Sequence, residues 1–439
     1  MRRPGAFRNP MWLVLGSALC AAGMWLYVQR VLITHQMAEA AAHGSPRGAL
    51  SDLYPRWLGA RELLLHGRDP YSAAITREIQ VGYYGRPLDS TRPYDPKDQQ
   101  GFAYPVYVAF YLAPTINLPF EVVQRAFLWV LLVLTVVSIP IWLQVVRWPL
   151  PLWAQASVAV LTFGSMAVVQ GLKLQQMTLV VAALTAMAIA LLVGNHGIVG
   201  GVMLALATIK PQLVCPLLFW LAIWTVGDLK RRYRWAVAFL ITLAGLIVAA
   251  ELCLPGWIPR FWRAVGEYQD YTGAAPLLDK LIPIPGNRLA EIGAAIGAAY
   301  ICWKNRGHPA DSEAFAATVC LVLAVTLLIV PTLAIYNQVL LLPALLMLAR
   351  DRRAIWGRSH AGRVLLVAVA ALLSWQWLSS AVLACLSFLI PLEVVEKAWA
   401  IPGWTALTLP VAVAALMLLV ASKGSQVATP VAAAERATA

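Results

Sequence analysis

Long apolar runs recur along the whole chain and constrain its fold more than any other feature. A helix needs about 20 apolar residues to cross the hydrocarbon core of a bilayer. Of the 439 residues, 60% are hydrophobic and 13% are charged, whereas a soluble domain is close to half apolar and a quarter charged. Because such a chain could not cover its surface with polar groups in water, it is predicted to be an all-α integral membrane protein.

The lengths of the runs predict a bundle of about twelve transmembrane helices. Three of the candidate spans are short, one is interrupted by Lys210-Pro211, and counts of eleven to thirteen also fit the runs. The candidate spans are 11–33, 103–118, 121–146, 150–171, 174–194, 197–226, 235–254, 287–303, 313–330, 334–349, 363–390 and 403–421.

Clusters of basic residues between the runs predict the orientation. Arginines precede the first span, and two further clusters lie at 230–234 and 350–358. Positively charged loops stay on the cytoplasmic side, and twelve spans place all three clusters and both termini there. Residues 34–101 then form a long first outer loop, and residues 255–286 form a second one.

Residues 1–421 are predicted to form one polytopic domain, followed by a disordered cytoplasmic tail at 422–439. The net charge of +13 does not indicate a nucleic-acid partner, because the basic residues mark the ends of apolar runs. One alternative concerns the amino terminus, where Ala38-Glu39-Ala40 resembles a signal-peptide cleavage site. The preceding apolar stretch is long for a signal core, and the first loop lies outside in either case.

The first outer loop is predicted to be structured. Residues 51 to 66 place Leu53, Trp57, Ala60 and Leu64 at helical spacing, which favours a helix lying on the membrane surface. Gly67 and the following Pro70 would end this helix. The polar stretch after it, with Asp89, Asp95 and Asp98, is expected to be solvated.

Asp52 is the first candidate for chemistry in this loop. A carboxylate at the membrane boundary could act as a general base on an acceptor hydroxyl. The alternative is that Asp52 caps the surface helix and pairs with Arg56 four residues later. Residue chemistry alone favours capping.

Several other polar residues are candidates for a substrate cavity. Lys210 would be buried in its span and must face protein or a water-filled cavity, or it marks a helix break at Pro211. Glu251 near the outer end of a span could face the same cavity. Asp69 is a further cavity candidate, although its Asp-Pro sequence favours a structural role in a turn. Tyr336-Asn337-Gln338 at an outer helix end and Gln175-Gln176 at an inner end could line a cavity or connect helices.

Arg260, Arg263 and Arg288 surround the second outer loop and could hold a lipid phosphate, because arginine binds phosphate well. Each could equally contact anionic headgroups. No nucleotide-binding motif is present, and neither the cysteines nor the scattered carboxylates have the spacing of a metal site. No cofactor, metal ion or disulfide is expected.

Six segments, taken in order, resemble glycosyltransferase family 87 of the GT-C superfamily of integral-membrane enzymes. The similarity extends over about residues 11 to 350 and is carried by Asp52-Leu53, Gly67-Arg68-Asp69-Pro70-Tyr71, Phe102-Ala103-Tyr104-Pro105, Gly200-Gly201, Ala207-Thr208-Ile209-Lys210-Pro211 and the segment from Tyr336 to Pro343. Two departures are Val106, where many relatives have a second proline, and Gln175-Gln176, where relatives often have Gly-Gln.

The resemblance implies a sugar donor on a polyprenyl phosphate, with mannose favoured, and a lipid or glycan acceptor. It implies transfer on the outer face of a bacterial cytoplasmic membrane, with inversion and with Asp52 as the base. Arg56 then becomes a candidate for the donor phosphate, and Tyr71 and Tyr104 become candidates for the cavity wall.

Two other classes of protein remain open at this point. Twelve spans with both termini inside also suit a transporter or flippase of a lipid or lipid-linked sugar. However, residues 1–220 and 221–439 show no convincing repeat, and transporter halves often repeat each other. A non-catalytic partner in an envelope assembly is the third possibility.

Overall fold

A computed structural model describes residues 10–42, 51–89, 91–331 and 334–423, and every regular element in them is helical. The α-helices are α1 (Pro10–Tyr27), α2 (Ile33–Ala42), α3 (Leu53–His66), α4 (Ala73–Tyr84), α5 (Val108–Leu112), α6 (Phe120–Val145), α7 (Leu152–Phe163), α8 (Met166–Lys173), α9 (Met177–Val193), α10 (Gly197–Ala207), α11 (Pro211–Val226), α12 (Leu229–Cys253), α13 (Trp257–Thr272), α14 (Leu277–Leu281), α15 (Gly286–Asn305), α16 (Glu313–Ile329), α17 (Leu342–Arg358), α18 (His360–Leu389), α19 (Leu392–Glu396), α20 (Ile401–Ala406) and α21 (Leu409–Lys423). A π-helical turn joins α1 to α2 at Val28–Leu32, and 3-10 helices cover Ala113–Thr115 and Ile335–Leu341.

The described residues contain five helical segments long and apolar enough to cross a membrane, and the bent pair α7 and α8, which meet at 61°, gives a sixth. Four shorter apolar helices accompany them: α9, α10, α11 and α16. The protein is therefore an all-helical, multi-pass membrane protein. The count of twelve spans stays a prediction. The five segments are Met11–Ala42, Phe120–Val145, Leu229–Cys253, His360–Leu389 and Leu392–Ser422.

The connections that follow α6, α11 and α15 meet beside α17 at one end of the bundle, which we call the basic end. Arg350 in α17 donates a hydrogen bond to the carbonyl of Val146 after α6, and its guanidinium lies 3.6 Å from Glu313 at the start of α16. Arg232 in α12 donates to the carbonyl of Arg306 after α15 at 2.6 Å. The clusters at 230–234 and 350–358 thus lie at the same end, which agrees with the predicted orientation, while the arginines before the first span lie outside the described residues.

The segment 197–226 is a helical hairpin, and the prediction of one interrupted span is wrong. Gly197 at the start of α10 lies against the backbone of Trp235. The indole of Trp235 donates to Thr225 Oγ1 near the end of α11 at 2.8 Å. Both ends of the hairpin therefore lie beside the first turns of α12. The turn with Lys210 therefore lies at the opposite end of the hairpin. The helix breaks there because Pro211 lacks the N–H of a helical hydrogen bond.

The segment 103–118 does not form a spanning helix, which corrects a second prediction. Only Val108–Leu112 and Ala113–Thr115 are helical, and such a length is far below the roughly 20 residues that a span needs. The segment packs on α3, where the Trp57 indole donates to the carbonyl of Thr115 at 3.2 Å. Pro105 and Pro114 each lack the N–H that a continuous helix needs.

The predicted helix of the first outer loop is present as α3. It ends at Gly67 in the left-handed conformation, with φ of 66°, as the glycine predicted. Its residues Leu53, Trp57 and Ala60 are buried against the protein. Its placement on a membrane surface stays a prediction. Ala38-Glu39-Ala40 lies within α2, and the tail from residue 424 lies outside the described residues.

Candidate active site

A cavity of about 260 Å³ opens at the end of the bundle opposite the basic end. Its walls come from α3, the segment before α5, the turn between α10 and α11, helix α13 and the 3-10 helix that begins at Ile335. Among the described residues that line it, the charged side chains are Arg56 and Lys210, and both are cations. Aromatic side chains supply much of the remaining surface: Tyr104, Phe261, Trp262, Tyr268 and Tyr336.

Asp52 occupies the N-cap position of α3, yet its side chain makes no capping hydrogen bond. Its Oδ2 instead accepts a hydrogen bond from Gln176 Nε2. The Asp52 backbone N–H donates to the carbonyl of Leu174 at 3.0 Å, and Ser51 Oγ donates to Gln175 Oε1 at 2.6 Å. The capping interpretation is therefore wrong, because the Asp52 carboxylate bonds to Gln176 and not to its own helix. The other two contacts hold the start of α3 against the segment before α9.

The expected ion pair between Arg56 and the Asp52 carboxylate is replaced by another contact. Arg56 Nη1 donates to the backbone carbonyl of Asp52, and its guanidinium carbon lies 4.7 Å from the centre of the Tyr104 ring. Burial raises the pKa of the Asp52 carboxyl, while the nearby charges of Arg56 and Lys210 act against that rise. The carboxyl therefore holds a proton more readily than an exposed aspartate does.

Lys210 lies at the turn between α10 and α11 and also faces the cavity, so both interpretations of this residue hold. Its ammonium donates to Gln176 Oε1 and to Thr178 Oγ1, each at 2.9 Å. It lies 5.7 Å from the centre of the Tyr104 ring and 5.1 Å from that of Tyr336. These partners stabilise a charge that would be costly to bury alone.

The triplet Tyr336-Asn337-Gln338 is divided among three environments. Tyr336 lines the cavity, and Asn337 Oδ1 accepts from Thr178 Oγ1 at 2.9 Å. Gln338 points elsewhere and donates to the carbonyl of Ala406 at 2.8 Å. The three residues lie in a 3-10 helix, whose three residues per turn send successive side chains in different directions.

Asp69 and Tyr71 support the cavity wall from outside. Asp69 Oδ1 accepts from the backbone N–H of Tyr71 at 2.9 Å, and the Tyr71 hydroxyl donates to the carbonyl of Tyr104 at 2.6 Å. Asp69 also forms an ion pair with Arg260 of α13 at 2.9 Å. Arg260 therefore already has a carboxylate partner, which makes it a poor donor-phosphate candidate.

Three further candidates lie outside the cavity lining. Arg288 pairs with Asp279 at 3.3 Å and with Glu291 at 3.1 Å. Glu251 accepts a hydrogen bond from the backbone N–H of Gly256 at 2.6 Å at the end of α12. Arg263 is exposed on α13. The structure does not bring these three side chains to Asp52.

Sequence reasoning missed several residues near Asp52. Gln176 was expected at an inner helix end, but it contacts the Asp52 carboxylate directly. Asp98 was expected to be solvated, but its carboxylate accepts two hydrogen bonds from Gln100, at 2.9 and 3.0 Å, and burial raises its pKa. Helix α13 was missed as a cavity wall, although its amphipathic sequence was a usable signal.

The fold and the cavity define a multi-pass membrane protein with a buried, cationic site at one end of its helical bundle. The family model described as glycosyltransferase family 87 matches residues 102–338, and the chain belongs to this family. It is therefore a membrane glycosyltransferase. No curated protein and no solved structure showed significant similarity to the chain.

The family match includes Tyr104, Gln176, Lys210 and Tyr336, but Asp52 precedes the matched residues. The position of Asp52 beside the cavity thus comes from the structure, and its catalytic role is a separate proposal. Membership of an enzyme family favours transfer chemistry over the transporter and assembly-partner alternatives.

Proposed function

We propose that this protein transfers a sugar from a polyprenyl-phosphate donor to a hydroxyl group of a lipid or glycan acceptor, with Asp52 as the general base. The observation that carries the proposal is that two cations, Arg56 and Lys210, line the cavity, while the partly buried carboxylate of Asp52 lies behind them and is joined to Lys210 through Gln176. This arrangement offers a base for the acceptor and positive charge for an anionic leaving group.

The donor phosphate is assigned to Arg56 and Lys210. The contacts of Arg56 with a carbonyl and an aromatic ring, and those of Lys210 with an amide and a hydroxyl, involve neutral groups. Their charges can therefore be met by a phosphate, which accepts charge-assisted hydrogen bonds from both types of side chain. This assignment narrows the sequence-based candidates, which also included Arg260, Arg263 and Arg288.

The transfer is a single displacement. The acceptor oxygen forms a bond to the anomeric carbon, and the bond from that carbon to the phosphate oxygen breaks with its electron pair. The acceptor proton moves to Asp52, and polyprenyl phosphate leaves as an anion beside the two cations. One displacement inverts the anomeric centre. The raised pKa of Asp52 makes it a stronger base than an exposed aspartate.

The orientation of the bundle supports transfer on the outer face. The basic end carries the clusters at 230–234 and 350–358 and belongs on the cytoplasmic side by the positive-inside rule. The cavity then faces the periplasm or the outside of a bacterial cytoplasmic membrane. Mannose is the first sugar to test, because the resemblance to the family suggests it.

The test uses the protein in nanodiscs with a panel of radiolabelled sugars on polyprenyl phosphates. The wild type should consume at least one donor and give a product with inverted configuration, and Asp52→Asn should abolish transfer. Asp89→Asn, on an exposed part of the same loop, is the matched control and should retain activity. Full transfer by Asp52→Asn would disprove the base, and no transfer from any donor would disprove the proposed donor class.

A further inference from the structure

Gln176 lies directly between the proposed base and the buried lysine. Its Nε2 donates to Asp52 Oδ2, and its Oε1 accepts from Lys210 Nζ at 2.9 Å. One amide therefore joins an anion to a cation. The side chain is buried, and its backbone N–H donates to the carbonyl of Gly171 at 2.8 Å.

The chemistry of the two partners fixes the direction of this amide. An ammonium group has donors and no acceptor, whereas an ionised carboxylate has acceptors and no donor. The oxygen of Gln176 must therefore face Lys210, and its NH₂ group must face Asp52. A flipped amide would place its NH₂ against the ammonium and its oxygen against the carboxylate.

Lys210 is itself held in place by a second partner. Its ammonium also donates to Thr178 Oγ1 at 2.9 Å, and Thr178 donates in turn to Asn337 Oδ1 at 2.9 Å. The hydrogen-bonded chain therefore runs from the 3-10 helix that contains Asn337 to the carboxylate of Asp52. Such connected networks restrict the rotamers of their members.

We infer that Gln176 is a positioning residue, which holds Asp52 Oδ2 through its NH₂ group and thereby orients the carboxylate that accepts the proton of the acceptor hydroxyl. This inference rests on the proposed function, because it assigns a partner to the proposed base. It also explains how a lysine can lie near the base without quenching it. A direct ion pair with Lys210 would make the carboxylate a weaker base, and the neutral amide separates the two charges.

Other groups also act on Asp52, so the test must isolate the contribution of Gln176. Arg56 from α3 and Lys210 from the hairpin turn favour the charged carboxylate, and Tyr83 from α4 and Gln176 favour it through side-chain hydrogen bonds. Five further titratable side chains among the described residues have charges that interact with Asp52: Tyr84, Asp98, Tyr104, Tyr268 and Tyr336.

The first variant is Gln176→Leu, which keeps approximate size and removes both hydrogen bonds. We expect kcat to fall about 100-fold, because loss of precise orientation costs this much, with less than about threefold change in the donor KM. The acidic limb of the pH profile should move upward by about one pH unit, since the lost hydrogen bond stabilised the charged carboxylate. A purely structural role would lower the amount of active protein and leave the limb in place.

The matched control is Gln338→Leu. Gln338 is also an amide-bearing residue of the helical bundle, but it bonds to the carbonyl of Ala406, away from the cavity. The Gln338→Leu variant should leave the acidic limb of the pH profile unchanged.

Gln176→Glu is the second variant, and it places a carboxylate beside Asp52. Like charges raise a carboxyl pKa, so the limb should again move upward.

A second measurement does not require a sugar donor. Infrared difference titration can follow the Asp52 carboxyl in nanodiscs, with Asp52→Asn identifying its band. The band should titrate at a higher pH in Gln176→Leu than in the wild type. An unchanged band position in the titration, or wild-type kcat with an unchanged limb, would overturn the inference. If the wild type transfers no sugar from any donor, the proposed function fails while the infrared result still decides whether Gln176 acts on Asp52.

Discussion

Arg260 in α13 and Asp69 in the first outer loop form an ion pair of 2.9 Å that joins two segments 191 residues apart in the chain. The pair connects the helix that forms one wall of the cavity to the turn that supports Tyr104 from behind. Both side chains are partly exposed, with 38% and 30% of their surface accessible. The contact is therefore suited to fixing the position of α13 more than to stabilising the whole protein.

Breaking this pair should affect substrate binding more than folding. In Asp69→Asn, the side-chain oxygen can still accept from Tyr71 N–H, while the charge that attracts Arg260 is lost. We expect the donor KM to rise about two- to fivefold, with little change in kcat, because an exposed ion pair contributes at most about 1 kcal/mol. Arg263→Ala, on the same helix, should leave both constants unchanged. Equal effects of the two variants in steady-state kinetics would contradict a specific role for the pair.

Removing the charge of Lys210 should weaken donor binding. Lys210→Met keeps a long apolar side chain and deletes the ammonium that we assign to the donor phosphate. The donor KM is expected to rise about tenfold or more, since charge-assisted hydrogen bonds contribute about 1.5–3 kcal/mol. Competition by free polyprenyl phosphate measures the same loss without catalysis. Lys304→Met, at the basic end where Lys304 contacts Ser422, is the control, and unchanged inhibition in Lys210→Met would contradict the assignment.

The transfer rate should fall at low pH, and the fall should begin at a higher pH than an exposed aspartate would set. Asp52 must be deprotonated to act as a base, and burial raises its pKa above the usual value of about 3.9. Activity should therefore be present above the raised pKa and be lost as the pH falls through it. The pH dependence of kcat/KM checks this directly. An acidic limb at or below the usual aspartate value would contradict an effect of burial on the base.

The raised pKa of Asp52 also affects stability. The contribution of Asp52 to stability falls as the pH rises, whereas the transfer rate increases. Between the unfolded pKa and the raised folded pKa, the folded protein keeps a proton that the unfolded chain has lost. The free energy of unfolding therefore decreases as the pH rises through this interval. Asp52→Asn lacks this contribution, so its thermal midpoint in detergent should increase relative to that of the wild type as the pH rises. Parallel curves for the two proteins would contradict the raised pKa.

Gly201 permits the close packing of α10 on α12. A Cβ at this position would lie 2.9 Å from the backbone nitrogen of Phe239 and still closer to the carbonyl oxygen of Trp235. Because both neighbours are backbone atoms of a helix, Gly201→Ala should lower the free energy of unfolding by about 1–3 kcal/mol through overpacking. Gly245→Ala, on α12 with open space around the added Cβ, should be neutral or slightly stabilising. Thermal unfolding in detergent compares the two.

Two of the predicted membrane spans, 103–118 and 197–226, are wrong, and each error changes the predicted side on which the following helices begin. The pattern correctly predicted a helical membrane protein and the start and end of α3. The pattern predicts a membrane span at 103–118, and this extra span reverses the predicted membrane orientation of the helices that follow it. Gln175-Gln176 was thereby placed at the inner end. The pattern also predicts one span where the structure has the hairpin at Lys210. This second error restores the predicted membrane orientation, so the basic clusters are still predicted to lie on one side.

The sequence by itself determined the membrane class, the helical architecture and the family, because apolar run length, basic clusters and ordered motifs are local properties of the chain. It also indicated Asp52, Arg56, Lys210, Tyr104 and Tyr336 as separate candidates. Only the tertiary structure decided that these side chains meet, that Arg260 and Arg288 already have carboxylate partners, and that Gln176 connects Asp52 to Lys210. The physical reason is that a hydrogen bond between residues 52 and 176 depends on how α3 packs against the start of α9, and no local pattern encodes that distance.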